Sequence, residues 1–173
     1  MFRKQLAGFA GAIAAWITLA LIWMGRAAFA GLGPFSDDPQ ERLNLALLWL
    51  LLPGLSLLIG VVGAARRGFY KDAIDGTRTP ASPALEINLR YNQNTVEQVL
   101  LAVIAWVGLA LRLPREMLFI IPVMSVVFFI GRITFFIGYL INPIGRAYGM
   151  VLTVFPTLLA YAWLTEQLFA HPH

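Results

Sequence analysis

Residues 90 to 97 read Arg-Tyr-Asn-Gln-Asn-Thr-Val-Glu and lead straight into the apolar run 99–111. A helix beginning near Ile87 places Arg90, Asn94 and Glu97 at i, i+4 and i+7, so a cation, an amide and a carboxylate share one stripe. Such a set suits an anionic ligand that carries several carboxylates and amide bonds. A small peptide fits that description, and so does a lipid headgroup. Further on, Arg132, Phe135, Phe136 and Tyr139 have the spacing of one helical face, and Arg146 follows after a short turn. Arg66 and Arg67 close an earlier apolar run. Other chemistry is thinly provided. The chain has no cysteine and so no disulfide, cysteine nucleophile or thiolate metal site. Its two histidines, His171 and His173, sit at the tail, away from any serine and aspartate or other metal ligands, and no metal site is expected. No phosphate loop or dinucleotide fingerprint occurs.

The elements that must position these residues are membrane spans. Of the 173 residues 59% are hydrophobic and only 13% charged, where soluble domains carry roughly 25% charged residues. The reading is an integral membrane protein. Apolar runs fall at 6–28, 43–65, 87–111, 117–141 and 147–169, each near the ~20 residues that cross the hydrocarbon core. They are continuous and not alternating, which excludes a β-barrel. The net charge of +4 sits in or beside loops, so it speaks of topology and not of nucleic-acid binding. Residues 6–28 are read as an uncut span, because the apolar run 6–24 exceeds the ~7–15 residues of a signal core. Ala7, Gly11 and Ala15 would let that span pack closely on a neighbour. Asp37-Asp38-Pro39 offers an N-cap and a helix-compatible proline. Pro53-Gly54 is expected to kink the second span, and Pro122 and Pro156 to perturb the last two near one end.

With five spans, Arg3, Lys4, Arg66, Arg67, Lys71, Arg78 and Arg146 share one side of the membrane, and Arg26, Arg42, Arg112 and Arg115 the other. The positive-inside rule makes the first side cytoplasmic. Glu97 then lies about 10 Å deeper than Arg90, and Arg132 roughly 15 Å below the turn at 142–146. The polar residues of the third and fourth spans therefore converge on the cytoplasmic half. A purely structural alternative pairs Glu97 with Arg132 and leaves Asn94 as a packing amide, since charges inside a membrane need partners. For Arg66 and Arg67 orientation is the stronger explanation, since a basic pair at a cytoplasmic helix end is what it requires, while Tyr139 fits the aromatic belt as well as a ligand site.

At these positions the chain resembles the MAPEG family, the membrane-associated proteins of eicosanoid and glutathione metabolism. The resemblance rests on Arg90, Asn94 and Glu97; on Gly131-Arg132, Gly138-Tyr139-Leu140, Pro143 and Arg146; and on Ala65-Arg66-Arg67-Gly68-Phe69. It covers about residues 43–168. It implies an all-α membrane protein: a four-helix MAPEG-like unit at 43–173, as in bacterial-type members, with an additional N-terminal span and linker at 1–42. It further implies a homotrimer that binds glutathione between subunits. Arg90, Asn94 and Glu97 would come from one chain, and Tyr139 and Arg146 from its neighbour. Arg66 and Arg67 would approach the ligand's carboxylates or thiol, and Arg132 would support the site from within. Arg146 would stabilise the thiolate for transferase or peroxidase chemistry on a lipophilic electrophile from the bilayer. The implied location is a bacterial inner membrane with the site on the cytoplasmic side. Some relatives bind lipid without catalysis, so a non-catalytic lipid-binding or scaffold trimer is the alternative. Phe135 or Phe136 stands where members often place a hydrogen-bonding group, and Ala147 where some carry serine.

Overall fold

A computed structural model of the chain describes residues 2–29, 35–69, 74–75 and 82–170. Their regular structure is entirely helical: α1 Phe2–Met24, α2 Pro39–Trp49, α3 Leu51–Ala64, α4 Pro83–Arg112, α5 Ile120–Ile141 and α6 Ala147–Ala170. Short 3-10 turns at Gly25–Phe29, Ala65–Phe69 and Arg115–Met117 extend α1 and α3 and precede α5. Five stretches are long and apolar enough to cross a membrane: Gln5–Phe29, Pro39–Phe69, Pro83–Arg112, Arg115–Ile141 and Ala147–Ala170. Their outward faces are apolar, with Phe9, Leu51, Leu58, Ile104, Ile137 and Leu158 all exposed. A water-soluble bundle would hide such residues, so the chain is an integral membrane protein.

Lipid is as apolar as leucine, so these helices associate through close packing and hydrogen bonds and not through water exclusion. The α5–α6 contact shows the consequence. A Cβ built on Gly149 would fall 2.7 Å from the Phe135 Cα, and one on Gly131 would fall 2.8 Å from the Thr153 Cγ2. The two backbones nearly touch because glycines face each other along the seam. Gly149→Ala should therefore lower stability by about 1–3 kcal/mol, the usual range for overpacking, seen as an earlier melt in detergent. Elsewhere Ala102, Ala105 and Ala110 of α4 are fully buried beside Trp106, which meets Phe128 edge-on at 5.9 Å between ring centres.

The second span is interrupted at Leu50, three residues before Pro53, and not at the Pro53-Gly54 pair itself. Proline has no N–H for the carbonyl of residue i−4, which here is that of Trp49, so the defect appears a turn earlier. The Ser125 hydroxyl of α5 donates to this Trp49 carbonyl. Ser125 is completely buried. Ser125→Ala should destabilise the bundle by about 1–3 kcal/mol, the range for a buried group left unpaired. Adding Pro53→Ala should recover much of that loss by returning an amide donor to Trp49. Thermal melts of the two single variants and the double variant would settle it; strictly additive losses would refute the link.

Other boundaries follow their caps. The Glu41 amide donates to the Asp38 carboxylate at 3.1 Å, with Pro39 opening α2. The Leu85 amide donates to the Ser82 hydroxyl at 3.1 Å, with Pro83 opening α4. α4 thus begins a turn before the expected Ile87, because Ser82-Pro83 acts as cap and first residue and not as loop. Pro122 is near the start of α5, as expected, but Pro156 sits inside α6, which runs through it. Arg42 joins the start of α2 to the end of α4, donating to the Leu113 carbonyl at 2.7 Å while pairing with Asp37 at 2.7 Å.

α1 lies against α6. Ala15 is fully buried, a Cβ on Gly11 would meet the Tyr148 amide nitrogen at 3.4 Å, and one on Gly8 would meet Ile144 at 2.8 Å. The close-packing stripe is therefore Gly8, Gly11 and Ala15; the expected Ala7 is exposed. Gly31–Pro34, Lys71, Arg78, His171 and His173 lie outside the described residues.

Candidate functional site

The Arg132 guanidinium, fully buried in α5, organises the end of the bundle where α4 begins and α5 ends. Its Nη1 donates to the Asn94 Oδ1 at 2.9 Å. The Cζ lies 4.2 Å from the Phe135 ring centre and 5.0 Å from that of Tyr91. Tyr91 is anchored in turn, its hydroxyl donating to the Ser56 carbonyl of α3 at 2.9 Å. The Arg132 Nε and Nη2 have no hydrogen-bond partner among the described residues. Arginine only donates, so the Asn94 atom facing it must be the carbonyl oxygen. That leaves the Asn94 amide NH₂ as the group presented to whatever lies beyond.

Beyond it is a pocket of about 410 Å³, lined by Arg90, Asn94, Phe135, Pro143, Ile144, Arg146, Ala147 and Met150. Arg90 is exposed and held by Glu86 one turn earlier, its Nη2 and Nε donating to the same carboxylate oxygen at 2.7 and 2.9 Å. Arg146 comes from the α5–α6 turn, which is ordered by its own hydrogen bonds: the Ile144 amide donates to the Asn142 side chain at 3.1 Å, and the Gly145 amide to the Asn142 carbonyl at 2.8 Å. The Arg146 guanidinium stacks 4.7 Å above the ring of buried Tyr139, and Tyr139 meets Phe135 edge-on. Two arginines and an amide donor converge over an apolar floor. Every nitrogen- or oxygen-bearing side chain that lines the pocket can donate, so the complement is an acceptor-rich anion.

The residues expected at the site divide as follows. Arg90, Asn94 and Arg146 line one pocket within a single chain, where the resemblance assigns Arg146 and the other two to different chains. Tyr139 supports Arg146 from below. Arg132 donates to Asn94 from within the bundle. Glu97 stays outside the pocket: it is exposed and accepts from Gln93 at 2.9 Å. The alternative Glu97–Arg132 ion pair is therefore not formed; Asn94 takes that place, because it faces α5 where Glu97 faces outward. Arg66 is also outside the lining. Its Nη2 donates to the Ala84 carbonyl at 2.8 Å and to the Asn88 side chain at 3.4 Å, tying the end of α3 to the start of α4. Arg67 shares that 3-10 turn and does not line the pocket either.

Sequence reasoning missed Glu86, Tyr91 and Asn88. Asn88 donates to the Gly60 carbonyl at 2.8 Å and so belongs to the α3–α4 seam. Glu86 lies four residues before Arg90, a detectable pairing, but a helix beginning at Ile87 leaves it out.

A model of the MAPEG family matches residues 43–165, which is more than half of the chain and runs from within α2 through most of α6. No curated protein and no solved structure matches it.

Proposed function

The chain belongs to the MAPEG family, and from that premise we propose that it binds glutathione in the Arg90–Asn94–Arg146 pocket and activates its thiol. The observation that carries this reading is the all-donor lining: two cations and the outward amide of Asn94 suit a tripeptide with two carboxylates and two amide carbonyls. In this reading Arg90 and Asn94 hold glutathione's backbone acceptors, and Arg146 stands by the sulfur. A free thiol of this type has a pKa of about 8.5, and a fixed cation beside it favours the thiolate, the nucleophilic form. Arginine suits the task because it stays charged. The thiol proton passes to water, and the sulfur lone pair then forms a bond to an electrophilic atom of a lipophilic substrate arriving from the bilayer, whose leaving group departs with the displaced electron pair.

The reading includes a homotrimer in which residues 1–42 are an addition to a four-helix unit at 43–173. In such an assembly the exposed Glu97 would accept glutathione's ammonium at a contact between chains. The site would face the cytoplasm of a bacterial inner membrane, in keeping with the basic residues at that end of the bundle. The test is a glutathione titration of the detergent-purified chain, following heat of binding and the ultraviolet absorbance of thiolate. Saturable binding with thiolate formed at neutral pH is expected. Absence of both would overturn the assignment.

A further inference from the structure

A larger cavity, of about 520 Å³, lies toward the opposite end of the bundle. Its walls are α1 and its 3-10 turn, the end of α4, the start of α5 and the second half of α6. Along α6 the nearest lining residues of the two spaces, Phe155 here and Met150 there, are about 7.5 Å apart by helical rise, and no residue lines both, so the two spaces are separate. The wall from α1 also lies outside the part of the chain that matches the family, which begins at residue 43.

The lining is almost wholly apolar and rich in aromatic rings, among them Trp16, Trp23, Phe119, Phe155 and Trp163. Arg26 is the one charged residue lining it. Its Nη1 donates to the Trp23 carbonyl at 3.2 Å, and its guanidinium lies 5.1 Å from the Trp23 ring centre. Among the described residues no carboxylate pairs with it. A long cationic side chain at the end of a span keeps its head near the headgroup level. The volume falls in the range of about 300–1,000 Å³ typical of small-ligand sites, which suits a tail and not another helix. An apolar chamber whose rim carries one cation without a carboxylate matches one chemistry.

We propose that this cavity binds an amphiphile with an anionic headgroup, its hydrocarbon tail lodged between α1, α5 and α6 and its headgroup on Arg26. The carboxylate of a free fatty acid and the phosphate of a phospholipid share that chemistry. The reading depends on membrane insertion but not on glutathione binding.

Trp16, Trp23 and Trp163 line the cavity while Trp49 and Trp106 do not, so quenching of intrinsic fluorescence reports occupancy. The full chain, delipidated in a neutral detergent, would be titrated separately with a fatty acid, a phosphatidylglycerol and a phosphatidylcholine, each carrying bromine on its tail. At least one anionic lipid should quench at about tenfold lower concentration than the zwitterionic one, the scale of a charge-assisted contact. Which anionic lipid is the stronger identifies the source. Arg26→Gln should abolish the preference and Arg26→Lys should keep most of it. Ala20→Phe, which narrows the chamber from α1, should reduce quenching by all three. Equal quenching by zwitterionic and anionic lipids, a preference that survives Arg26→Gln, or indifference to Ala20→Phe would each overturn the proposal.

Discussion

Arg132→Met should leave the chain folded and yet weaken glutathione binding by about tenfold to a hundredfold. The two halves of that expectation have different causes. A fully buried cation with two unpartnered nitrogens is expensive, and replacing buried charge by a hydrophobe of similar volume is often neutral or stabilising. Methionine is long, unbranched and adaptable enough to follow the track between Tyr91 and Phe135. The melting temperature in detergent should therefore hold or rise. Function should not hold, because Arg132 is what turns the Asn94 carbonyl inward. Without it the amide can rotate and present an acceptor to a pocket built for an anion. Losing one hydrogen bond to a charged ligand group is worth about 1.5–3 kcal/mol, which is the tenfold to hundredfold stated. Arg132→Lys should fall between the two, keeping the charge but losing the planar stack. Calorimetric titration beside a thermal melt separates the effects. Undiminished affinity in Arg132→Met would refute the positioning role, and collapse of its melt would make Arg132 a structural residue.

The same residue shows where sequence reasoning stops. Five spans could be read because lipid demands continuous apolar runs of fixed length, and that demand leaves little room for error. Spacing also put Arg132, Phe135 and Tyr139 on one face correctly. Spacing does not choose partners. Asn94 and Glu97 are three residues apart and so point in directions that differ by a fraction of a turn; which one meets α5 depends on how α4 is rotated in the bundle. That rotation is set by Tyr91 reaching Ser56 and by Asn88 reaching Gly60, contacts between spans with no signature in either span alone. Ser82-Pro83 is compatible with a turn and with a helix start alike, and a helix begun at Ile87 leaves Glu86 out. Pro53 announced a break but not that its effect would fall on the preceding turn, nor that Ser125 on a distant helix would mend it. For Arg66, charge at a helix end is compatible with both orientation and ligand binding, and only the hydrogen bond to the Ala84 carbonyl distinguishes a tether from a ligand group.

Arg146→Gln should give the largest loss of activity, and its pH dependence should say why. Arg146 lies on the exposed turn above Tyr139, so removing its charge costs only one exposed cation–π contact, and the melt should change by no more than about 1 kcal/mol equivalent. In the unaltered chain a cation beside the sulfur stabilises the thiolate, so the bound thiol titrates below its free value of about 8.5. Taking the cation away returns the titration toward that value. The sign follows: below pH 8.5 the variant holds less thiolate and conjugates an electrophilic aryl halide more slowly, by about tenfold for each pH unit of displacement. Near neutrality the deficit should be about ten- to thirtyfold, the ceiling set by a thiol that returns to about 8.5, and it should shrink as pH rises until the two profiles approach each other in alkali. Arg146→Lys, still charged at neutral pH, should keep most of the acid limb. A variant whose profile is lowered in parallel, with its midpoint unmoved, would assign Arg146 to holding glutathione and not to activating it, and the cation beside the sulfur would then have to be sought in Arg90, the other arginine in the lining of the same pocket.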